Sequence, residues 1–441
     1  MKVLLVRPNL APRRSSDALT PLAFALLTGQ TPPGVELVVQ DERLAPLTPV
    51  TDADLVAISV ETYTARRAYQ LADRYRASGI PVVLGGPHPT VVPEEAAGHA
   101  DAVVRGDAEK LWPQLLAQAE AGNLQPLYEA PPGGTMDGLQ YDRRVFDGLR
   151  YGPIDLVQYG RGCGHVCEFC SIHAWYGKTK ARRPVAEVVA ELALLPRRHL
   201  FFVDDNLALD PRWLAELCDG LIPLRRRWSC QLSLDALEAP ELGATLASAG
   251  CSVVILGFES LRPENLCQMG KAWNRSGRSY TELVAELAGH GIMVYGTFVF
   301  GYDHDRPDCF EATVDFAVSS GLFLANFNPL TPMPGTALYR RLEAEQRLLS
   351  PTWWLEPGYR YGQAVFRPVG LSPDQLTEGC FRARRRFNSL STMARRAFAN
   401  RANYSSVRQF GLFALANLVS RREILHKQGL GLGEAEETSC A

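Results

Sequence analysis

The sequence predicts an α/β protein with two parallel-sheet domains and a helical C-terminal region. In residues 1–122 and 154–345, short apolar runs rich in β-branched residues alternate with amphipathic helical patterns. Such runs, separated by helices, are typical of parallel strands buried on both faces. At 441 residues the chain is also too long for one ordinary core. We therefore expect a doubly wound, Rossmann-like first domain (1–122), a linker (123–153), a barrel domain (154–345), helices (346–430) and a tail (431–441).

Five apolar runs of the first domain are predicted strands, at 2–6, 35–40, 54–60, 80–86 and 101–106. Four of them end in polar or glycine-rich segments, which are RPN (7–9), ETYT (61–64), GGPHPT (85–90) and RGDAE (105–109). Ligands of doubly wound sheets bind outside the carboxyl ends of the strands, so we expect a large ligand across this edge. No G-x-G-x-x-G pattern follows the first strand, which argues against a nicotinamide dinucleotide.

Six candidate strands follow the linker, at 154–160, 199–205, 228–234, 252–258, 292–301 and 324–330. Six strands joined by crossover helices predict a partial (β/α)6 barrel. The stretch RGCGHVCEFC (161–170) begins just past the carboxyl end of the first of these strands. Active sites of parallel barrels are built at this end, so the stretch is a candidate site.

Three of the ten cysteines lie in this stretch, as Cys163, Cys167 and Cys170 in a C-x₃-C-x₂-C spacing. Structural zinc is held by four protein ligands, and a disulfide needs two cysteines. Three thiolates can bind three irons of a [4Fe–4S] cluster and leave the fourth iron open. A three-cysteine zinc site completed by His165 or His173 is the alternative, but it would not account for the surrounding barrel.

The composition is that of a soluble globular protein, with 46% hydrophobic and 21% charged residues. The net charge of −2 gives no global sign of nucleic-acid binding. No apolar run reaches the roughly 20 residues that span a bilayer. The start MKVLLVRPNL enters a strand directly, without a signal-peptide pattern. Clustered cysteines fit a reducing compartment, so we expect a cytoplasmic protein.

The C-terminal helices are strongly basic. Between Phe381 and Gln428 the sequence contains ten arginines and one lysine but only one acidic residue, Glu423. One interpretation is a solvated basic face on helices that pack against the barrel. The other is a peripheral contact with anionic headgroups or a lipid-borne substrate, because a basic amphipathic helix can lie in a membrane interface. The run FGLFALANLVS (410–420) would supply the apolar part.

The cysteine loop resembles the cluster motif of the radical S-adenosylmethionine (SAM) superfamily, because Phe169 precedes the last cysteine and a barrel pattern follows. The resemblance implies that the three thiolates hold a [4Fe–4S] cluster and that SAM chelates the fourth iron. FFVDDN (201–206) and ILGFES (255–260) are similar to strand-end SAM-binding segments of this superfamily, and Gln231 and Ser233, at the end of WSCQLS (228–233), are further candidates. The implied SAM contacts are Asp204, Asp205, Asn206, Gln231, Ser233, Glu259 and Ser260. For Asp204 to Asn206, a helix N-cap and turn is the alternative.

The first domain resembles the cobalamin-binding domain joined to many radical SAM enzymes, through VVLGGPHPTVVPEEA (82–96) and DAVVRGDAE (101–109). The whole chain is similar to the subgroup with the anaerobic Mg-protoporphyrin cyclase and the hopanoid methylases. The implied neighbours of the corrin are Thr62, Gly85, Gly86, His88, Thr90 and Glu109. The D-x-H-x-x-G motif, whose histidine ligates cobalt in other cobalamin enzymes, is absent from the sequence. Either the lower face of the cobalt has no protein ligand, or the domain no longer binds cobalamin.

The resemblance implies a cobalamin-dependent radical SAM methyltransferase acting on an unactivated carbon. In that family a 5′-deoxyadenosyl radical takes a hydrogen atom from the substrate, which then receives the methyl group of methylcobalamin. A radical SAM/cobalamin cyclase or ring-rearranging enzyme, and a non-catalytic cobalamin-binding module, are the alternatives. Expected partners are a hydrophobic small molecule (isoprenoid, tetrapyrrole-like or a natural-product intermediate) and an electron donor such as flavodoxin or ferredoxin. Tyr176, Tyr295 and Tyr302 are possible substrate contacts.

Overall fold

A computed structural model describes residues 1–48, 52–274 and 277–434. Its first domain is a six-stranded parallel sheet in the order β2-β1-β3-β4-β5-β6, where a run such as Val3 to Val6 is fully buried between helices on both faces. The strands are β1 (Lys2–Arg7), β2 (Glu36–Asp41), β3 (Leu55–Ser59), β4 (Val82–Gly85), β5 (Ala102–Arg105) and β6 (Leu127–Glu129). The helices are α1 (Leu22–Gly29), α2 (Ala65–Ala77), α3 (Pro87–Val91), α4 (Pro93–Ala97) and α5 (Trp112–Glu120).

The sixth strand corrects the expectation of a five-stranded sheet. β6 lies within the segment expected to be a linker and pairs with β5, Val104 lying opposite Tyr128. Only Tyr128 of its three residues is buried, so the strand has no apolar run to reveal it. The tail expected from residue 431 also begins in contact with this domain. Leu432 is buried, and Glu434 lies 2.5 Å from the Arg67 guanidinium, while residues 435–441 lie outside the described residues.

The second domain is an open arc of six parallel strands in the order β14-β13-β12-β11-β10-β7, as the partial-barrel prediction required. The strands are β7 (Asp155–Val157), β10 (His199–Phe202), β11 (Arg227–Leu232), β12 (Cys251–Glu259), β13 (Met293–Phe300) and β14 (Leu324–Pro329), with a small hairpin of β8 (Gly160–Arg161) and β9 (Ala181–Arg182). The helices are α6 (Ser171–Tyr176), α7 (Val185–Leu194), α8 (Pro211–Leu221), α9 (Leu242–Ser248), α10 (Pro263–Gln268), α11 (Tyr280–Gly289), α12 (Cys309–Ser319) and α13 (Ala337–Ala344).

The carboxyl ends of the two sheets meet at one cleft. Its walls come from the ends of β3, β4 and β5 in the first domain and from residues after β7 and β10 in the second. Short 3₁₀ helices connect the main elements, at Thr62–Thr64, Arg143–Phe146, Ile222–Leu224, Leu234–Glu238, Ala272–Asn274 and Arg401–Asn403. This arrangement brings polar strand ends that are far apart in sequence to a common surface.

Three helices close the chain: α14 (Pro373–Phe387), α15 (Leu390–Ala399) and α16 (Val407–Lys427). The interpretation that the arginines of these helices form a solvated face is wrong for Arg384 and Arg396, which are buried. Arg384 donates to the Phe327 carbonyl at 2.8 Å on β14. Arg396 is fully buried and donates to the carbonyls of Leu322 and Phe323, both at 2.9 Å. In the described part of the chain, no helix is long and apolar enough to cross a membrane.

Arg396 should stabilise the packing of the C-terminal helices against the second domain. Its guanidinium also donates to Asn417 at 2.8 Å, and burial lowers its pKa to about 9. We expect Arg396→Ala to lower the free energy of unfolding by about 3 kcal/mol, because several buried acceptors lose their donor. Urea unfolding measures this, with Arg395→Ala as the control. Arg395 is exposed and its loss should change stability by less than about 0.5 kcal/mol. Equal effects of the two substitutions would contradict the prediction.

Candidate active site at the interface of the two sheets

The three cysteines lie on one loop that leaves the β8 strand end and leads into α6. Cys167 is 9% exposed, and Cys163 and Cys170 are half-buried. Burial raises the pKa of all three thiols, that of Cys167 to about 12. Phe169, the aromatic residue before the last cysteine, packs against the barrel core. The donor set, three soft thiolates on one loop, fits an iron–sulfur cluster better than a hard cation.

The loop is anchored to the end of the barrel. The Glu168 backbone N–H donates to the Met269 carbonyl at 3.0 Å, and the Glu168 carboxylate pairs with Arg341 at 2.8 Å. The two histidines of the zinc alternative have other partners. His165 stacks on Trp273 with ring centroids 3.6 Å apart, and His173 hydrogen-bonds the Gly177 carbonyl at 3.1 Å through its Nδ1 atom.

The acidic residues after β10 hold the backbone that carries the cysteine loop. Asp204 accepts hydrogen bonds from the Tyr159 N–H, at 3.0 Å, and from the Gly160 N–H. Asp205 accepts from the Gly162 N–H at 2.8 Å. The side chain of Asp204 is therefore occupied, whereas Asp205 also lines the cleft between the domains. The helix N-cap expected as the alternative for these residues is not formed, since the cap of the next helix, α8, is Asp210.

Asn206, Gln231 and Ser233 have different placements. The Asn206 amide donates to the Ser233 hydroxyl at 3.0 Å and accepts from the Ser233 N–H at 3.2 Å, so the pair ties β10 to β11. Gln231 is exposed on the inner face of the arc, because its neighbours Cys230 and Leu232 are buried under the outer helices. Tyr295 lies in the same lateral row, since Gln231 pairs with Ile255 and Ile255 with Tyr295.

Glu259 ends β12 in a backbone conformation that is rare for a residue with a side chain, with φ of 61°. Its carboxylate pairs with Lys271 at 3.1 Å, and Lys271 also donates to the Gly257 carbonyl at 3.1 Å. The Lys271 ammonium lies 5.0 Å from the ring centroid of Trp273, which stacks on His165 of the cysteine loop. Ser260 accepts a hydrogen bond from the Arg262 N–H at 3.1 Å.

Sequence reasoning missed Lys271 and Trp273 as site residues. Both lie in the segment GKAWN, just after α10, and no pattern of spacing links them to Glu259 or to the cysteine loop. A strained glutamate held by a buried lysine beside the cysteines is a preorganised charged group. The strain at Glu259 therefore identifies this corner as part of the candidate site.

The cleft between the domains has a volume of about 450 Å³. It contains five of the six residues expected near a corrin, which are Thr62, Gly85, Gly86, Thr90 and Glu109. Gly86 has φ of 110°, and a Cβ atom there would lie 2.9 Å from the Val60 carbonyl oxygen, so the turn requires glycine. The Thr90 hydroxyl accepts from the Gly106 N–H at 3.0 Å and joins the two strand-end loops.

The cleft offers a large planar ligand both apolar surface and an unused donor. Most of its wall is apolar, from α1, β3, β4 and β5 and from Trp175. Among the residues that the structure describes, the buried Trp175 indole N–H finds no hydrogen-bond partner. Buried donors are normally paired, so this atom points to a ligand acceptor. The cleft thus fits part of a corrinoid, with space for apolar atoms deep in the sheet and polar atoms near the second domain.

His88 is not among the residues that line the cleft. It is fully buried, with Nε2 2.9 Å from the Glu95 carboxylate and Nδ1 3.3 Å from the Thr62 hydroxyl. Its ring packs edge-on against Trp354 at 5.4 Å. Of the corrin neighbours implied by the resemblance, His88 alone supports the wall from behind, through Thr62.

A buried ion cluster joins the first domain to the cysteine loop, and we call it the interdomain clasp. Arg161, whose side chain is 7% exposed, lies 2.5 Å from Glu109 and 3.1 Å from Asp107. Tyr176 of α6 donates to Asp107 at 2.7 Å. Arg161 and Asp107 were not singled out from the sequence. Their signal is positional, because Asp107 follows a strand end and Arg161 directly precedes the cysteine loop.

The tyrosines expected as substrate contacts differ in position. Tyr176 lines the cleft as part of the interdomain clasp. Tyr295 lies on the inner face of the barrel arc, where burial raises its pKa to about 12. Tyr302 is 1% exposed, and burial next to Glu168 raises its pKa, so it faces the anchor of the cysteine loop.

Comparisons with known proteins confirm the resemblance of this chain to cobalamin-binding radical SAM proteins. The family profile of the B12 binding domain matches residues 35–116. A bacteriochlorophyllide d C-12(1)-methyltransferase of Chlorobaculum tepidum is 29% identical over 90% of this chain and 89% of its own. A hopanoid C-2 methylase of Rhodopseudomonas palustris is 26% identical over 71% of this chain and 62% of its own.

Two further similarities bear on the subgroup and on the fold. An anaerobic magnesium-protoporphyrin IX monomethyl ester cyclase of Rubrivivax gelatinosus is 23% identical over 75% of this chain and 64% of its own. The solved structure of the radical SAM methyltransferase TsrM from Kitasatospora setae superposes with a TM-score of 0.60, covering 91% of this chain and 83% of that one. At 19% identity this likeness shows a common fold. The fold class predicted from the sequence is therefore confirmed.

The buried Asp204 should make stability fall as pH rises. Burial raises its pKa to about 7, against the two N–H bonds that favour the carboxylate. A raised folded-state pKa contributes stability at low pH, which is lost between an unfolded pKa near 3.8 and the folded value near 7. We expect Asp204→Asn to reduce the loss of stability of the cofactor-free protein between pH 5 and 8 by about 2–3 kcal/mol, since one pKa unit corresponds to about 1.4 kcal/mol.

Thermal and urea unfolding across this pH range measure the effect. Asp235→Asn is the control, because Asp235 is only partly buried and its hydrogen bond from His165 holds its pKa below the ordinary value. The Asp235 carboxylate stays charged between pH 5 and 8, so this substitution should leave the slope unchanged. Parallel pH profiles for the native protein and Asp204→Asn would refute the assignment.

Proposed function

We propose that this protein is a cobalamin-dependent radical SAM methyltransferase that methylates an unactivated carbon of a hydrophobic small molecule. The observation that carries the proposal is the interdomain clasp. It fixes the three-cysteine loop of the barrel against the cleft of the B12 binding domain, so a radical site and a methyl-carrier site would share one enclosed space. A protein that merely bound cobalamin would have no need of the cysteine loop at this position.

The residues divide into two cofactor sites under this proposal. Cys163, Cys167 and Cys170 would bind the [4Fe–4S] cluster, and the corner formed by Asp205, Glu259 and Lys271 would meet SAM. Thr62, Gly85, Gly86, Thr90 and Glu109 would border the cobalamin. When bound, the cluster and SAM supply a carbon-centred radical, and the cobalamin supplies the methyl group.

The protein's own task is to position the reactants and exclude water. Asp204 and Asp205 fix the backbone next to the cysteines, because they accept hydrogen bonds from the Tyr159 N–H at 3.0 Å and the Gly162 N–H at 2.8 Å, respectively. The Lys271 ammonium is a buried cation beside Glu259 and can hold a carboxylate ligand by exchanging its partner. No step requires a general base from this chain, and no histidine is among the described residues that line the cleft. Alignment of this kind is worth several orders of magnitude in rate.

The inner face of the barrel arc is the proposed substrate surface. Gln231, Tyr295 and Asn326 provide polar contacts there between apolar neighbours such as Ile255 and Leu324. The methyltransferase and methylase relatives carry the names of a bacteriochlorophyllide and a hopanoid as their substrates. We therefore propose a tetrapyrrole-like or isoprenoid substrate, with a natural-product intermediate of similar apolar character as the wider class.

Other parts of the proposal concern partners and location. A small acidic redox protein such as flavodoxin or ferredoxin would deliver the electron to the cluster. A cytoplasmic location is supported by the free thiols of all nine cysteines in the described residues. A peripheral membrane contact is a separate proposal that rests on the last two helices. The second candidate function is oxidative cyclisation with the same cofactors, supported by the similarity to the cyclase.

Anaerobic reconstitution tests the proposed reaction. Protein is loaded with iron, sulfide and hydroxocobalamin, then mixed with SAM and a reductant, and products are measured by mass spectrometry. We expect both 5′-deoxyadenosine and S-adenosylhomocysteine from the native protein. Cys163→Ala should abolish both products and the cluster absorbance, because one of three iron ligands is lost. Cys267→Ala is the control, since Cys267 is an exposed thiol outside the loop and its loss should change neither product.

The pattern of products separates the candidate functions. Deoxyadenosine without S-adenosylhomocysteine, in the presence of a tetrapyrrole substrate, would favour the cyclase. Cobalamin binding with neither product and no cluster absorbance would favour a non-catalytic module and would sink the enzyme proposal.

Loss of the interdomain clasp should reduce methyl transfer more than it reduces assembly of the iron–sulfur cluster. We expect Arg161→Gln to retain most deoxyadenosine formation while reducing S-adenosylhomocysteine at least tenfold, because the cobalamin cleft is no longer fixed against the cysteine loop. Arg183→Gln is the matched control, since Arg183 is buried and pairs with Glu191 at 2.6 Å within the second domain. A proportional loss of both products and of cluster absorbance in Arg161→Gln would show a purely structural role.

A further inference from the structure

The outward side of α16 consists of apolar residues and arginines. Val407 is 91% exposed, and Leu415, Leu418 and Leu425 are each more than half exposed. They recur at helical spacing opposite the buried Phe413 and Asn417. A solvent-exposed helix normally carries polar residues on this side, so the stripe needs a partner.

The same pattern continues from α15. Leu390 is 63% exposed and Phe398 71%, and the Phe398 ring contacts Tyr404 in the turn before α16, with centroids 6.0 Å apart. Eight of the fifteen large apolar side chains that are exposed in the described chain lie between residues 390 and 425. We call this surface the C-terminal apolar face. It comprises Leu390, Phe398, Tyr404, Val407, Phe410, Leu415, Leu418 and Leu425.

A cationic cavity adjoins the end of this face. Arg14, Arg150 and Arg422, from three distant segments, line a cavity of about 470 Å³ together with His426. None of the three arginines has an ion-pair partner in the part of the chain that the structure describes. The one acid in the cavity, Glu423, is engaged by the Ser16 N–H at 3.2 Å and lies 3.5 Å from Lys427. Guanidiniums that line one cavity, and whose only neighbouring carboxylate is already engaged, form a site for phosphate oxygens.

We infer that the C-terminal apolar face and the adjoining three-arginine cavity form a docking surface for an anionic phospholipid bilayer. The apolar side chains enter the interface, while the guanidiniums of Arg422 and its neighbours meet lipid phosphates. Arg422 lies on the helix between Leu418 and Leu425, so one helical side presents both functions. The helix C-terminus explains a cation at residue 422 or 426 but not at Arg14 or Arg150, which come from other segments.

Charge selects the bilayer over a second copy of the chain. No acidic residue occurs between Leu390 and Arg422, so two such faces would bring arginines against arginines. Four exposed arginines alternate along the chain with the apolar side chains of the face: Arg395, Arg401, Arg408 and Arg422. An anionic surface satisfies these charges, and the inference holds whatever reaction the cleft performs.

Vesicle flotation tests the inference on the full chain at low salt. We expect the native protein to float with vesicles of equal parts phosphatidylglycerol and phosphatidylcholine, and not with phosphatidylcholine alone. A triple substitution Val407→Ser, Leu415→Ser, Leu418→Ser should reduce the bound fraction at least tenfold. The matched control is Leu194→Ser, Leu349→Ser, Val369→Ser, because these residues are equally exposed outside the face. Circular dichroism and thermal unfolding establish that each variant is folded.

The arginines are tested in the same assay. Arg14→Gln, Arg150→Gln, Arg422→Gln should weaken binding to anionic vesicles and flatten its dependence on salt. The control removes three exposed arginines elsewhere, through Arg198→Gln, Arg212→Gln and Arg367→Gln, and should change binding less than twofold. This set also keeps the inference testable if the apolar variant fails to fold.

Four results would overturn the inference. The first is no flotation of the native protein, and the second is equal flotation with neutral vesicles. The third is a dimer in analytical ultracentrifugation that is absent from the apolar triple variant. The fourth is stabilisation by inorganic phosphate, lost in the arginine triple variant, without any vesicle binding. That last result would assign the cavity to a soluble anion.

Discussion

The contact of Arg161 with Glu109 and Asp107 is the interaction on which the arrangement of the site depends. Three charged groups from two domains are buried together, which is favourable only if they stay paired at close distance. Removing Arg161 would leave two carboxylates without their shared cation in a poorly solvated place. The clasp therefore holds the two sheet edges in one relation.

The acidic residues at strand ends serve first to build the site. Asp204 and Asp205 accept N–H bonds from the segment that leads into the cysteine loop, and Asn206 ties two strands together. The segment Asp204 to Asn206 resembles a set of ligand contacts, but its side chains also hold the neighbouring backbone in place. What remains available for a ligand is Asp205 at the cleft wall and the Glu259–Lys271 pair, whose strained backbone is the cost of aiming a carboxylate inward.

The C-terminal arginines belong to two groups with opposite roles. Arg384 and Arg396 point into the barrel and bond backbone carbonyls of β14 and its neighbour, so they attach the last helices to the second domain. Arg395, Arg401, Arg408 and Arg422, in contrast, are exposed and belong to the region of the C-terminal apolar face. Net charge alone cannot separate the groups, because burial depends on which side of each helix meets the barrel.

The fold was accessible from local pattern because parallel strands buried on both faces leave long apolar runs. All eleven strands predicted from such runs correspond to main strands of the two sheets, namely β1 to β5, β7 and β10 to β14. β6 was not predicted, because this three-residue edge strand buries only one side chain and therefore has no apolar run. Likewise the spacing of Cys163, Cys167 and Cys170 is a local property, since one loop must supply all three thiolates.

By itself the sequence determined the order of domains, the strand ends and the cysteine loop, each of which depends on neighbours in the chain. Only the tertiary structure decided that His88 faces Glu95 behind the cleft wall, that Lys271 joins Glu259, and that Arg161 joins Asp107. These pairs come from segments whose distance is set by how the two sheets pack. Electrostatic pairing acts through space, and the sequence carries no periodic signal for it.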